Sequence, residues 1–433
     1  MGEGAARRSL TAYALTGLSS TPIPIWMDDS GHFFGMVGAL SWIRSGYETE
    51  QAALQKIQDD ALAKRSPALV KSLLKTPSGP VAFTHVRAFL AGNELTLARA
   101  ARRAKGELLS PRVYPSVLID GKGPNTAQAG SVATSQEEAL AIVRKAKADG
   151  FIAIKLYGTF NPAWVKATAA EAHRLGLHVH GHLPAGMRPS QAIDDGYDEV
   201  THIYFVMMQA MPDAVVSKSN GMARFLGPGR YAKDVKLDAE PMKSLIAKMA
   251  QRKITVDPTL VVAESLYVPE NGDLSPAYAP FVGTLPPAVE RNFRQGGFVM
   301  PPGVTRADFR ASFDKLSQLV GVLHKAGVPF VAGTDGSGME LVRELELYVA
   351  AGFTPAEALA SATIQTARLV GADTRTGSIV VGKAADLVLV DGDPSKRIGD
   401  LRHTRIVIMD GKLMDANALR AAGGFAGRPA FVD

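Results

Sequence analysis

The chain has 433 residues, of which 46% are hydrophobic and 21% charged, a composition typical of a soluble globular protein. It contains no cysteine, which excludes disulfides, thiolate metal ligands and a cysteine nucleophile. The formal net charge of +6 is small for this length, and because Lys and Arg are scattered we expect no nucleic-acid partner.

No apolar run reaches the ~18 residues that indicate a membrane span, so we predict none. The first residues, MGEGAARRSL, are partly basic but lack the apolar stretch of a signal peptide. The sequence as it stands is therefore expected in the cytoplasm, whereas an export segment outside it would place the protein in the periplasm or secrete it. A homo-oligomer is compatible with the sequence, which does not specify an oligomeric state.

Residues 1–90 are the least regular part of the chain. TPIPIWMDDSGHFFGMVGA indicates strands and turns, and residues 48–76 have a helical pattern. We assign 1–90 to an amino-terminal segment that contributes strands to a small β-sandwich.

From about residue 107, apolar strands alternate with helical segments, which favours a parallel sheet covered by helices. We predict an α/β fold in which residues 91–370 form a TIM-type (β/α) barrel. The predicted strands are RVYPSVLI (112–119), FIAIKLYG (151–158), LHVHGHL (177–183), DEVTHIYF (198–205), ITVDPTLVV (254–262) and PFVAGTD (329–335). An eight-stranded barrel needs two more strands upstream.

A Pro- and Gly-rich stretch at 264–304 is too long for a simple connection and predicts a lid or rim. Its larger apolar residues favour a partly hydrophobic substrate, although packing within the loop explains them equally well: Leu266, Tyr267, Tyr278 and Phe281.

The carboxyl-terminal residues 371–433 have a different pattern. GSIVVGKAADLVLVDG and RIVIMDGKLM indicate short alternating strands with Gly and Asp turns. We assign them to the carboxyl-terminal part of the β-sandwich.

Four polar residues each stand at or near the end of a predicted strand: Lys155, His182, His202 and Asp335. A parallel barrel gathers the carboxyl ends of its strands into one mouth, where active sites of this architecture lie. Two imidazoles, a carboxylate and a lysine at this mouth predict a divalent-metal site. Imidazole and carboxylate donors suit zinc, and manganese, nickel, cobalt and iron are compatible.

Lys155 has two interpretations. A buried ammonium is costly without a partner, and the neutral amine reacts with carbon dioxide to give a carbamate, an anionic ligand able to bridge two cations. Alternatively, Lys155 reaches the mouth and pairs with a carboxylate. The sequence does not decide between the two.

The strand LHVHGHL places three histidines on one face, and His182 is nearest the carboxyl end. We expect His178 and His180 to be packed or supporting residues. A single histidine at the end of the next strand, His202, would more often be structural, but two on consecutive strand ends favour a metal site. Asp335 could cap the next helix, or hold one metal and take a proton from metal-bound water.

These residues together resemble a known family. Lys155, HGHLPAGM, VTHIYF, VAGTD and GSIVVGKAADLVLVDGDP are similar to the amidohydrolase superfamily, especially its imidazolonepropionase-like and prolidase-like members. The resemblance extends over about 92–416. It implies that the protein hydrolyses amide, peptide, lactam or ester bonds of a small molecule or short peptide with a metal-bridging hydroxide.

The resemblance also implies roles for individual residues. Lys155 would be the carbamylated bridging lysine between two divalent ions, most simply zinc. His182 and His202 would bind the second metal, and Asp335 would bind the first and act as general base. Arg343 and Glu344 are in a stretch that follows the last barrel strand of the family, and we expect them to have a supporting role.

The chain departs from the family at its first two barrel strands. The His-x-His strand after a Pro-Gly turn and the next strand, similar to GVTTVRD, have no recognisable counterpart, and several dozen residues are missing near Leu90–Gly92 by comparison. GPVAFTHVRAF (79–89) looks like an early sandwich strand in which His85 is incidental.

Two explanations of this departure stay open: the sequence omits segments that the natural protein has, or the protein lacks them. The first leads to an ordinary metal-dependent amide hydrolase. The second would expose sheet edges and motivates an alternative, a catalytically inactive barrel that acts as a binding or scaffold protein. A deaminase or cyclic-amide hydrolase of the same superfamily is a third reading.

Overall fold

A computed structural model describes residues 7–15, 23–38, 41–75, 103, 105, 107, 109–127, 130–294 and 296–430. The strands of this part are numbered in chain order as β1 (Leu10–Leu15), β2 (Ile23–Asp28), β3 (Phe33–Met36), β4 (Trp42–Ile43), β5 (Ser116–Gly121), β6 (Ser131–Ala133), β7 (Ala153–Leu156), β8 (His178–Gly181), β9 (Glu199–Thr201), β10 (Thr255–Asp257), β11 (Leu387–Val390), β12 (Thr404–Met409) and β13 (Lys412–Asp415).

The α-helices of the same part are numbered likewise as α1 (Gln51–Leu73), α2 (Gln136–Asp149), α3 (Val165–Arg174), α4 (Pro189–Asp194), α5 (Ile203–Met207), α6 (Asp213–Val216), α7 (Ala223–Tyr231), α8 (Met242–Arg252), α9 (Leu260–Tyr267), α10 (Pro287–Asn292), α11 (Arg306–Lys325), α12 (Leu341–Ala350), α13 (Pro355–Ser361), α14 (Ile364–Leu369) and α15 (Ala416–Ala422).

The central part of the chain is α/β with parallel strands. One sheet has the order β6-β5-β7-β8, and β9 pairs with β10 in parallel. β9 lies beside β8, and an isolated parallel bridge joins Val256 to Phe330. These strands therefore form one open run, and the described ranges do not close it into a barrel.

Residues of the parallel strands are buried on both faces, as is usual for strands covered by helices. The fully buried positions in these strands include Ile119, Ile154, Leu156, Val179, Val200 and Val256. They belong to a single large hydrophobic core together with residues of the covering helices. This core fixes the positions of the strand ends.

The sequence predicted most of the parallel strands. One predicted strand forms only a bridge, and one observed strand was not predicted. β7, β8, β9 and β10 lie within predicted strands and are shorter than them, whereas β5 overlaps the predicted strand 112–119 and ends later, at Gly121. The last parts of the predicted strands 198–205 and 254–262 begin α5 and α9 instead. PFVAGTD forms only the bridge at Phe330. β6 was not predicted, because three residues carry too short a pattern.

The excursion at 264–304 contains short helical turns rather than strands. α9 extends into its start, a 3-10 helix spans Pro276–Phe281, and α10 follows. Its larger side chains pack within the protein: Tyr267 is fully buried, and the ring of Tyr278 stacks on that of Phe293 at 4.1 Å.

The two ends of the chain form separate antiparallel sheets, β1-β2-β3-β4 and β11-β12-β13. The first packs its own small core around Trp26, Phe34 and Leu54. The bridge between Lys75 and Leu413 joins the two ends of the chain. The described residues do not confirm the predicted β-sandwich, and Ile379–Val381, which the sequence assigned to a strand, lies outside any strand and is exposed.

In the described ranges, no helix combines the length and apolar character needed to cross a bilayer.

Candidate active site

The ends of β8 and β9 bring two histidines together. His182 directly follows β8, and His202 directly follows β9 and precedes α5. Between His180 and His182, Gly181 has φ of 127°, and a Cβ there would lie 2.3 Å from the carbonyl oxygen of Leu156. Only glycine fits this close approach of β8 to β7. The chain can thus turn at the strand end and direct His182 into the mouth.

His182, His202 and Asp335 form a cluster. The Nε2 atoms of the two imidazoles are 2.9 Å apart, and Oδ2 of Asp335 lies 3.8 Å from Nε2 of His202. Both histidines are buried, whereas the side chain of Asp335 is 52% exposed. Three of the four predicted site residues therefore meet at a place that is closed on one side and open to solvent on the other.

Burial keeps the two imidazoles neutral. It lowers the pKa of both His182 and His202 well below the usual range, and the nearby cationic side chains of Lys155 and Arg224 act in the same direction. A neutral imidazole has a free lone pair, which is the form that binds metals.

The backbone is strained at the site. His202, Thr259 and Asp335 have φ of 68°, 45° and 49° without being glycine. For a β-branched residue such as Thr259 this conformation is an outlier. Such strain persists only where surrounding contacts enforce it, and it concentrates at functional sites.

Lys155 lies on β7 and lines a cavity of about 290 Å³ that His202 and Asp335 also line. Its side chain is half-buried. Among the described residues, no carboxylate comes within ion-pair distance of its Nζ, so the partner expected for an ammonium at this position is not observed there. The lysine is close enough to the histidines to influence their pKa.

His178 and His180 have polar partners inside the strand run. Nε2 of His178 lies 2.9 Å from Oε2 of Glu199, and Nε2 of His180 lies 2.9 Å from Oγ of Ser116. Burial lowers the pKa of His180 to about 4. Burial opposes ionisation of Glu199, yet its hydrogen bond with His178 holds its pKa below the usual range. Neither histidine is part of the cluster at the mouth.

The supporting stretch on α12 contacts α9. Nη2 of Arg343 lies 2.6 Å from Oε1 of Glu264. The fully buried carboxylate of Glu344 accepts hydrogen bonds from the backbone N–H groups of Leu260 and Val261 at 2.9 and 2.7 Å. Burial raises the pKa of Glu344 to about 8. These contacts hold the start of α9, which follows β10.

Sequence reasoning missed Asp257, which ends β10. Its Oδ1 is buried without a hydrogen-bond partner in the described residues. Burial raises its pKa well above the usual range, and the neighbouring charges of Glu199 and Glu344 add to the effect. Gly333 touches this carboxylate so closely that a Cβ would lie 2.3 Å from Oδ1. The signal was available, because Asp257 is a polar residue at the end of an apolar strand.

Aromatic rings support the two histidines. Tyr157 stacks on His182 with ring centroids 3.9 Å apart, and Tyr204 lies parallel to His202 at 4.9 Å. Thr259 also contacts His202, with Oγ1 2.6 Å from Nδ1. These contacts depend on the fold, and no local sequence pattern indicates them.

The imidazole and carboxylate donors suit a divalent cation in their chemistry, but the donor atoms lie too close together to hold one. No group of three described His, Asp or Glu side chains has the spacing to hold an ion. Tetrahedral zinc with Zn–N of about 2.0–2.1 Å separates two nitrogens by about 3.3 Å, so the 2.9 Å contact of His182 and His202 must open by a few tenths of an ångström. The unpartnered Nδ1 of buried His182 is consistent with a ring that can turn.

The described residues before β5 place no further imidazole in the cluster of His182, His202 and Asp335. His32 is their only histidine, and its side chain is 74% exposed beside the turn between β2 and β3. The segment 79–89 with His85 lies outside the described residues.

The family model for the amidohydrolase family matches residues 30–414. Imidazolonepropionase of Pseudomonas savastanoi pv. phaseolicola (strain 1448A / Race 6) is 27% identical, with 75% of each chain covered.

Two solved structures support the fold. A Xaa-Pro dipeptidase with bound methionine in the active site has a TM-score of 0.53 at 18% identity, over 94% of this chain and 100% of that one. Bottromycin amidohydrolase has a TM-score of 0.57 at 17% identity, over 99% and 94%. These neighbours imply a TIM-type barrel.

The family match covers most of the sequence and includes every predicted site residue. It supports hydrolysis of amide-type C–N bonds. The chain therefore belongs to the amidohydrolase family.

Proposed function

We propose that this protein is a metal-dependent amidohydrolase whose site is formed by Lys155, His182, His202 and Asp335. The convergence of two neutral imidazoles and a carboxylate at the strand ends supports this function. The substrate class is a small amide, a short peptide or a cyclic amide, as the names of the imidazolonepropionase and Xaa-Pro dipeptidase relatives suggest.

Each residue has a part in this proposal. His182 and His202 bind the cation through their Nε2 lone pairs. Lys155 Nζ would form a C–N bond to carbon dioxide with release of a proton, and the resulting carbamate would offer anionic oxygen ligands to divalent ions, with zinc the first choice. A bound divalent cation polarises the amide carbonyl and lowers the pKa of water. Asp335 reaches solvent, takes the proton of the attacking water and passes it to the leaving amine.

We further propose that the parallel strands are one arc of a TIM-type barrel over residues 91–370. The segments 1–90 and 371–433 would supply the two halves of a small β-sandwich. The open strand run and the antiparallel sheets at both ends of the chain support this arrangement.

One test combines metal content with turnover. We expect purified protein to contain about two divalent ions per chain by elemental analysis, and to hydrolyse members of a panel that includes Xaa-Pro dipeptides and imidazolonepropionate. Chelation should abolish turnover and zinc should restore it. Metal-free protein with unchanged turnover would contradict the proposal.

The second candidate function is a binding or scaffold protein without chemistry. It is favoured by the lack of a three-ligand group among the described side chains and by the absence of a recognisable His-x-His strand upstream. For this candidate we expect no stoichiometric metal after dialysis against zinc and no hydrolysis in the panel.

A further inference from the structure

His202 is held on its backbone and on its ring by the residues that end β10 and start α9. Its backbone N–H donates to the carbonyl oxygen of Asp257 at 2.6 Å, and the next N–H, of Ile203, donates to that of Pro258 at 2.9 Å. On the ring, Nδ1 lies 2.6 Å from Oγ1 of Thr259. The segment from Asp257 to Thr259 therefore holds both the backbone and the ring of His202.

Thr259 itself has little freedom. It is 1% exposed and adopts φ of 45°. The two residues that follow it donate their backbone N–H groups to Glu344, whose carboxylate is fully buried. A β-branched residue in this left-handed conformation needs such enforcement. The hydroxyl is thus presented to His202 by a rigid turn.

The ring contact determines where the other nitrogen points. With Nδ1 engaged by Thr259, Nε2 faces Nε2 of His182 and Oδ2 of Asp335. When Nδ1 carries the proton and donates it to the hydroxyl oxygen, Nε2 presents its lone pair to the same place. The parallel ring of Tyr204 limits rotation of the imidazole out of this plane.

We propose that Thr259 is a positioning residue, whose hydroxyl fixes the orientation of the His202 ring for cation binding through Nε2. The inference deepens the proposed function and rests on it for the cation. The hydrogen bond between Thr259 and His202 does not depend on a cation. Partners of this kind on a metal-binding imidazole typically contribute about 10–100-fold in metal affinity or activity.

The test compares three single variants. Thr259→Val removes the hydroxyl at constant shape, and Thr259→Ser keeps it. Thr168→Val is the matched control, because Thr168 is fully buried on α3 and its hydroxyl has no hydrogen-bond partner in the described part of the chain. Two quantities are measured on metal-free protein: the ring ¹⁵N signals of His202, assigned with His202→Gln, and the affinity for added Co²⁺.

We expect Thr259→Val to change the ¹⁵N signals of His202 and to weaken Co²⁺ binding about 10–100-fold. Thr259→Ser and Thr168→Val should retain both the spectrum and the affinity. Unchanged ring signals and affinity in Thr259→Val would overturn the proposal, and so would equal losses in Thr259→Val and Thr168→Val.

The two measurements separate this inference from the proposed function. If the unmodified protein binds no Co²⁺, the metal-dependent function fails. A change in the His202 signals confined to Thr259→Val would still support the positioning role of the hydroxyl. If Co²⁺ binds equally to all variants and the ring signals do not move, the function stands and the positioning role is wrong.

Discussion

Asp335 is the residue of the cluster that combines a carboxylate with access to solvent. Its Oδ2 lies near His202, and half of its side chain is exposed. A group in this position can exchange protons with water at the mouth, which the buried imidazoles cannot do as readily. The assignment of general base therefore rests on both position and chemistry.

Replacing Asp335 by asparagine tests this assignment. Asp335→Asn keeps the shape but cannot accept a proton, so we expect turnover to fall by about 10²–10⁴-fold, the usual contribution of a general base. Steady-state kinetics on the best panel substrate measures the effect. Asp213→Asn, at a side chain that is 97% exposed, is the control and should keep full activity. Normal turnover of Asp335→Asn would remove the residue from the mechanism.

Substitution of Lys155 distinguishes its two interpretations, a carbamate ligand and an ammonium paired with a carboxylate. An arginine keeps the positive charge but forms no carbamate at neutral pH. We expect Lys155→Arg to lose most of its Zn²⁺ binding, and zinc reconstitution of the unmodified metal-free protein to speed up with added bicarbonate. Titration with Zn²⁺ and the recovery of turnover measure both effects. If Lys155 acted as a paired ammonium, Lys155→Arg would retain Zn²⁺ binding and bicarbonate would have no effect. The control Lys166→Arg, at an exposed site, should behave like the unmodified protein.

Glu344 makes stability depend on pH. Its pKa is about 8 because burial disfavours the charged form, compared with an ordinary 4.5. Between these values the folded state binds more protons than the unfolded state, so the contribution of Glu344 is present at low pH and is lost as the pH rises. We expect the free energy of unfolding to decline from pH 5 to pH 8, and this decline to be smaller in Glu344→Gln. Urea denaturation at several pH values measures this decline. Parallel pH curves for the unmodified protein and Glu344→Gln would contradict the raised pKa. Glu137→Gln, at an exposed side chain, serves as the control.

At the scale of elements, the sequence predicted strand positions and strand-end residues well. A buried parallel strand leaves a visible apolar run, and the residue after it lies at the carboxyl end of the sheet, so the sequence could indicate that His182, His202 and Asp335 lie close together. Their roles in a site stay predictions. The prediction failed where a pairing is short: β6 has three residues, and Phe330 forms only a bridge.

The supporting contacts were beyond sequence reasoning for a different reason. Thr259 and His202 are 57 residues apart, and their contact depends on unusual backbone conformations at both positions. No local periodicity encodes such a pair. Asp257 is the exception, because the rule that found the other strand-end residues applies to it equally.

Gly181 shows how an element imposes the geometry of the site. Gly181→Ala combines a positive φ with a clash against Leu156, whereas at Gly186, with φ of 89°, an added Cβ would meet nothing within 4 Å. We expect both variants to lower the free energy of unfolding by about 1 kcal/mol or more for the φ strain. Gly181→Ala should lose clearly more, and it should also lose Zn²⁺ affinity because His182 moves. Equal losses in denaturation and equal metal affinity would show that β8 tolerates a side chain there.

At the scale of the whole molecule, ion pairs join the segment before β5 to the carboxyl-terminal sheet. Nη1 of Arg112 lies 2.7 Å from Oδ2 of Asp386, and Nη2 contacts the carboxylate of Asp410. The side chains of Arg112 and Asp386 are 15% and 6% exposed. Because both charges are largely removed from water, loss of one partner leaves the other uncompensated.

The ion pair between Arg112 and Asp386 makes the link between the segment before β5 and the carboxyl-terminal sheet depend on pH. Burial opposes ionisation of Asp386, but the hydrogen bond from Arg112 and the backbone N–H of Asp410 hold its pKa below the usual range. A carboxylate with a lowered pKa contributes stability above its unfolded-state pKa, and this is lost as the pH falls through the folded-state value. The link between the two parts should therefore be strongest near neutral pH and weakest in acid.

Arg112→Met tests the link directly. We expect the free energy of unfolding to fall by about 3–5 kcal/mol at neutral pH, as for other buried ion pairs that lose one partner. The deficit should shrink in acid, where Asp386 is protonated in both proteins. The double variant Arg112→Met/Asp386→Asn should recover part of the loss, because it removes the uncompensated charge. Lys56→Met, at an exposed surface pair with Asp60, should change stability by about 1 kcal/mol or less. A deficit in Arg112→Met no larger than this, or one independent of pH, would mean that apolar packing alone holds the carboxyl-terminal sheet against the parallel strands.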